Sequence, residues 1–285
     1  MSADNNELSK APSSSDNGSD KTVGWQATLD IVFALRHGKT VAARLGHRGP
    51  LRTQRAFYPE GGHCHMYILH PPGGVVGGDV LQTTIEVQQH AGALLTMPGA
   101  TKIYRSNGRQ ATIHQQFHVQ DNARLEWLPP GTILFSGASA CMLSEFHLEP
   151  GAQLIARETY CLGRPVMGEG FEAGGLRADL RVYLAGKPLL LERLRVSPGL
   201  ATLAGYPLVS TLLIYPGSTE LLDDIRDVLE GMDEPAGATL VDGLLVVRML
   251  ASSNLRLDQI QSRLWACVRQ RVMGLEPVPP RIWAT

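Results

Sequence analysis

The sequence has no apolar run approaching the ~18 residues of a membrane span, and it lacks the basic-then-apolar opening of a secretory signal. The cytoplasm is therefore the expected compartment, and no membrane partner is expected. Charge of one sign is missing as well: 26 Lys and Arg stand against 27 Asp and Glu, a formal net charge of −1. Nothing in bulk electrostatics favours nucleic acid, so none is expected as a partner. The four cysteines (Cys64, Cys141, Cys161, Cys267) are far apart and form no Cys-x-x-Cys pair. A structural zinc site and a disulfide framework both lack their spacing, and reduced thiols are expected.

Catalytic signatures are also lacking. The segment Pro71–Asp79 has the glycine spacing of a phosphate loop at Gly73 and Gly78. Asp79 and Val80 stand where the loop needs Lys and Ser/Thr, however, so neither the ammonium nor the magnesium-binding hydroxyl is present. No G-x-G-x-x-G, His-Glu-x-x-His or G-x-S-x-G frame occurs either. Four glycines in this segment imply a tight bend between strands. From the residues alone, catalysis has no positive support.

What the chain has in excess is turn residues. Glycine (30) and proline (18) make up about 17 per cent of 285 residues, where ~12 per cent is usual. Residues 1–22 carry only Met1 and Leu8 as large apolar groups and read as a disordered tail. From Trp25 onward the pattern has period two: Ala27, Leu29, Ile31, Phe33 and Leu35 share one face of a strand. Similar alternation recurs at 63–69, 80–89, 111–119, 123–128, 143–148, 152–160 and 176–184, between turn signals. Two helices follow late. One starts after Ser218 or Thr219 as N-cap, with Leu221, Leu222, Ile225, Val228 and Leu229 on its stripe and Gly231 beyond its end. The other spans about Asn254 to Met273, with Leu257, Ile260, Leu264 and Val268 on its stripe and Gly274 beyond its end. One strand, Thr239 to Met249, is expected between them.

A weak repeat organises the strands. Phe117-His118-Val119, followed by Asp121-Asn122-Ala123-Arg124-Leu125, returns 29 residues later as Phe146-His147-Leu148, followed by Pro150-Gly151-Ala152-Gln153-Leu154. An earlier copy, Ile85-Glu86-Val87 and then Gly92-Ala93-Leu94, is read with one extra residue in its turn. A fixed period in a strand-rich chain is what stacked β coils produce. The expected fold is thus mainly β, a stacked-sheet, β-helix-like (solenoid) body with two C-terminal α-helices. The expected organisation is the tail 1–22 and one domain over 23–285, its β body about 23–215 and a mixed α/β part about 216–285.

Among nine histidines, His63 and His65 are the better metal candidates. On a strand they share a face about 7 Å apart at the Cα atoms, while Cys64 points the other way with Met66 and Ile68. The alternative for both is a buried, hydrogen-bonded histidine. Glu169, between Gly168 and Gly170, is an acid on an open backbone, with Glu172 close by. The basic cluster Arg44, His47, Arg48, Arg52 and Arg55 fits a protein contact or a solvated strand face.

Longer motifs then align with a family. Gly49-Pro50-Leu51 with Gln54-Arg55-Ala56-Phe57-Tyr58-Pro59-Glu60, the run Leu69–Asp79, and Met97–Ser106 resemble the urease accessory proteins UreD, also called UreH. So do Leu125-Glu126-Trp127-Leu128-Pro129, Gly163-Arg164-Pro165 with Gly168-Glu169 and Phe171, Glu192-Arg193, and Pro280-Arg281-Ile282-Trp283. The resemblance covers essentially everything from Trp25 to Thr285 and matches the stacked β fold with late helices.

The resemblance implies a non-catalytic urease maturation factor. It would bind UreF, through it the GTPase UreG, and apo-urease, in a hetero-oligomeric complex that assists nickel delivery. No cofactor would be held stably, and Ni2+ would be bound transiently. A conduit needs few, dispersed oxygen ligands, since a dense imidazole or thiolate cage would trap the ion. By match to family motifs, the candidates for the nickel path are Asp79, Thr101 and Glu169, with Ser136 added; His63 and His65 are weaker ones. Where the family has Gln-Glu or Gln-Asp after Leu-Glu-Trp-Leu-Pro, this chain has Pro130-Gly131, so a role resting on that polar pair does not carry over. The alternatives are a β-helical enzyme acting on carbohydrate, which needs convergent acids on one face, and a generic β-rich protein-binding module.

Overall fold

The computed structural model describes residues 24–284; the tail expected over 1–22 lies outside the described residues. The chain opens with a hairpin of β1 (Gln26–Arg36) and β2 (Lys39–Arg48), then the short β3 (Arg52–Thr53) and β4 (Cys64–Leu69). A winding section follows: β5 (Val80–Val87), β6 (Gly92–Thr96), β7 (Thr101–Ile103), β8 (Ala111–Val119), β9 (Arg124–Trp127), β10 (Thr132–Leu134), β11 (Ser139–Leu148) and β12 (Gln153–Leu162). The rest comprises β13 (Gly175–Leu184), β14 (Lys187–Val196), β15 (Leu208–Tyr215), α1 (Thr219–Leu229), β16 (Ala236–Val241), β17 (Leu244–Ala251) and α2 (Asn254–Met273).

The winding section is the stacked coil that the repeat implies. Along this section β5, β8 and β11 join a seven-stranded sheet, ordered β14-β13-β11-β8-β5-β1-β2, and the strands between and after them join a ten-stranded sheet containing β16-β17-β15-β12-β9-β6-β4-β3, with β10 and β7 alongside. Pairings between consecutive coils are parallel and in register: Ile31, Ile85, Phe117, Phe146 and Val182 form one continuous inward ladder. All five are buried. Phe117 and Phe146 stack with ring centroids 4.7 Å apart.

The turn of the earliest copy has no extra residue. Ala91 aligns with Ala123 and Ala152; each amide donates to the carbonyl three residues back, at Gln88, Gln120 and Glu149, and each methyl is buried. The longer first coil (Ile85 to Phe117 against Phe117 to Phe146) takes its additional length in the return connections. Those returns need glycine where backbones touch. At Gly174, which enters β13 with φ +97°, a Cβ would lie 2.0 Å from the Ala138 carbonyl oxygen.

The central strands of the ten-stranded sheet are buried on both faces. Ala93, Leu95, Leu125, Trp127 and Leu154 pack towards the seven-stranded sheet. Leu94, Ile155, Leu212, Ile214 and Val247 pack towards α1 and α2, against Leu221, Ile225, Leu257, Leu264 and Val268. Both helices follow the capping expectation: the Ser218 hydroxyl accepts from the Leu221 amide, that of Ser253 from the Arg256 amide, and Gly274 closes α2 in the left-handed conformation. The single strand expected over 239–249 is instead the hairpin β16–β17. Asp242 (φ 45°) and Gly243 (φ 81°) make a tight turn with both central residues at positive φ, the geometry that Asp-Gly favours. No helix among the described residues is long and apolar enough to cross a membrane.

Candidate functional site

Four of the residues singled out in the sequence lie on the return connections of the coil. Four connections lead from the ten-stranded sheet back to the seven-stranded one, at 70–79, 97–110, 128–138 and 163–174. Asp79, Thr101, Ser136 and Glu169 lie on these four in turn.

Asp79 is buried and fully engaged, its two carboxylate oxygens accepting from the backbone amides of Trp25 (2.8 Å) and Val76 (2.9 Å). It clamps the glycine bend, where Gly73 and Gly78 take positive φ. A Cβ at Gly74 would strike the Tyr104 ring. Thr101 is half-buried on β7, its amide donating to Gly131 and its hydroxyl directed at the Met97 sulfur. The Ser136 hydroxyl accepts from the Glu172 amide. Glu169 is exposed and held by a two-pronged contact from Arg164, one arm at 2.7 Å. These groups are spread along the stack and do not converge. Among the described residues no three His, Cys, Asp or Glu side chains are grouped to hold a metal ion.

His63 and His65 face the helical layer, with Cys64, Met66 and Ile68 in the core on the other side of the strand, as the alternation requires. They join a buried ionic cluster that the sequence did not reveal. Arg269 of α2, fully buried, bonds both carboxylates: Nη1 and Nη2 (2.7 Å) to Glu60, Nε (3.1 Å) and Nη2 (3.0 Å) to Glu126. Trp265 Nε1 donates to Glu126 (2.7 Å) and His65 Nε2 to Glu60 (2.6 Å). His63 Nε2 sits 3.5 Å from Glu126 without a hydrogen bond. The guanidinium thus stands where a cation would, between the two acids.

Burial pushes the Glu60 and Glu126 carboxyls up, yet Arg269 and the imidazoles outweigh it and hold both below the ordinary range. Burial pushes His65 below its ordinary 6.5, against the pull of Glu60. A lowered imidazole stays neutral in the fold while the unfolded chain takes up a proton as pH falls through about 6.5. Stability is therefore expected to decline from pH 7.5 to 5.5, by at most about 1.4 kcal/mol per pH unit from this group. Chemical denaturation midpoints at the two pH values check this. His65→Gln should flatten the slope, and an unchanged slope would refute the assignment.

A second feature that the sequence did not reveal is a cavity of about 400 Å3 between the sheets, at their open end. Its walls are apolar (Ala178, Leu180, Leu194, Val209, Met249), and its polar groups are Glu158, Tyr160, Thr211, Glu192 and Arg248. Glu158 projects from β12 into the space between the sheets, where it accepts from the hydroxyls of Ser144 (3.0 Å) and Tyr160 (3.1 Å). Burial pushes its carboxyl above the ordinary range. Across the mouth, Arg248 of β17 donates to Glu192 of β14, with Nε at 3.0 Å, which ties one sheet to the other. Glu158 sits among Arg157 and Thr159 in strand 153–162, so no local pattern marked it; Glu192 belongs to the Glu192-Arg193 motif but stood without a role.

The sequence profile of the family described as UreD urease accessory protein matches residues 26–284. Among curated relatives, the urease accessory protein UreD of Pseudomonas entomophila (strain L48) is 50% identical over 263 residues, 92% of this chain and 95% of that protein. The protein of the same name from Enterobacter sp. (strain 638) is 48% identical over 265 residues, covering 93% and 97%. That from Klebsiella aerogenes is 48% identical over 263 residues, covering 92% and 97%.

Proposed function

The chain belongs to the UreD urease accessory protein family, whose place is urease maturation, and from that premise we propose that it is a non-catalytic scaffold of nickel insertion. It binds UreF, through UreF the GTPase UreG, and apo-urease, in the cytoplasm, and helps Ni2+ reach the urease active site. The missing phosphate loop supports this division of labour, because nucleotide hydrolysis then belongs to a partner. The ten-stranded sheet takes strands from both the β body and the C-terminal part, which supports reading 23–285 as one domain.

The observation that carries the nickel reading is the cavity between the sheets. Its oxygen donors are few and unlike one another: the carboxyls of Glu158 and Glu192 and the hydroxyls of Tyr160 and Thr211. Such donors hold Ni2+ weakly beside a set of imidazoles or thiolates. The raised Glu158 carboxyl adds reversibility. Burial disfavours the charged form of that carboxyl and so weakens its hold on a cation. Asp79, Thr101, Ser136 and Glu169, on the coil's return connections, are proposed as further contacts along the route, with His63 and His65 as weaker ones. A carbohydrate-cleaving reading is less well supported: one cavity acid is buried under two hydroxyls and the other is paired with Arg248.

Co-expression of urease structural and accessory genes with and without this chain tests the proposal. Urease activity and nickel content should fall to near background without it, and equal activity in both cases would defeat the reading.

A further inference from the structure

We propose that the outer face of the seven-stranded sheet carries a separate metal site, in which His118 of β8 and His147 of β11 chelate a divalent late first-row transition-metal ion. The neighbours of these residues set their direction. Phe117 and Phe146 are buried in the inward ladder, so His118 and His147, next along their strands, project from the opposite face. The strands are parallel and pair the two residues directly, His147 with His118. Their rings stack with centroids 4.8 Å apart and planes 12° from parallel. His118 is exposed and His147 half-buried. Neither imidazole makes a hydrogen bond among the described residues, so the ring nitrogens are free to take a ligand.

The surroundings favour a cation. Both histidines line a groove of about 610 Å3 whose charged residues are Asp30, Glu86, Glu149 and Arg44, three acids to one base. Glu86 is paired with His118 on the neighbouring strand β5. Two imidazoles bound to one ion at ~2.1 Å each bring their nitrogens to roughly 3 Å with lone pairs converging on the ion, so the exposed His118 ring swings out of the present face-to-face stack until its plane crosses that of His147. Tyr183 stacks on the far face of His147, with centroids 4.9 Å apart, and limits the swing of that ring. Imidazole nitrogen suits nickel, copper and zinc alike. With only two protein ligands the ion keeps water in its other positions and exchanges readily. The site lies on the opposite face of the sheet from the Glu158 cavity and does not rest on the route proposed through that cavity.

The test is Ni2+ titration of the full chain by calorimetry, with X-ray absorption to count imidazole ligands. The expected result is that His118→Ala/His147→Ala loses one bound equivalent of Ni2+, and that either single substitution weakens that equivalent about tenfold or more. Glu158→Gln/Glu192→Gln should leave it intact. Should the alanine pair fold poorly, His118→Gln/His147→Gln keeps polar side chains on the same face and serves the same purpose. Unchanged stoichiometry and affinity in a folded double variant, or a spectrum without two imidazole ligands, would overturn the proposal.

Discussion

Arg269→Met is expected to cost about 3–5 kcal/mol of stability, and to do so by undocking α2. The guanidinium is the one cation between Glu60 and Glu126, and Glu126 is fully buried. Methionine fills much of the same volume but leaves two acids facing each other with no counter-charge. The protein can respond by protonating a carboxyl, hydrating the site or releasing the helix. Release exposes the apolar layer of Leu257, Leu264 and Val268 that covers Leu94, Ile155 and Val247. Urea denaturation of the purified chain, or of the chain held with its partners, measures the cost. A control separates charge from shape: Arg269→Met combined with Glu60→Gln and Glu126→Gln removes all three charges and should recover most of the loss, because a buried ionic group replaced as a set is often nearly neutral. A loss below about 1 kcal/mol for the single variant would show that the cluster does not anchor the helix.

Glu158→Gln together with Glu192→Gln is expected to lower urease activation about tenfold or more, with little effect on folding. Glutamine keeps the size of each side chain. At Glu158 the buried carboxyl already leans towards its neutral form, so the substitution changes the charge state little until a cation arrives. At Glu192 the loss is one exposed ion pair with Arg248, worth about 0–1 kcal/mol. Nickel content of urease from cells carrying the double variant is the direct readout, with soluble yield of the chain as the folding control. Full nickel loading with both acids removed would take the cavity out of the route and leave the return connections as the remaining path.

Where the sequence was legible, the cause was local. The limits of α2 follow from Ser253 and Gly274, cap residues that act within one turn of the helix. Strands β8 and β13 alternate because one of their faces meets solvent. Strands β6 and β15 show no such alternation, because helices cover the second face of their sheet and nearly every residue is buried. Strand β17 is buried in the same way, and Leu240 and Val241 of the mostly exposed β16 extend its apolar run across Asp242-Gly243, which hides the turn.

The repeated Phe-His units by themselves determined a stacked coil with phenylalanines inside and histidines outside. Period-two geometry leaves no other choice once one face is buried. Only the tertiary structure decided which charges meet. Glu126 and Arg269 are 143 residues apart, and Glu192 and Arg248 come from different sheets, so no local pattern could pair them. The Glu158 cavity likewise takes its walls from strands of both sheets, a property of how layers pack and not of any segment within them.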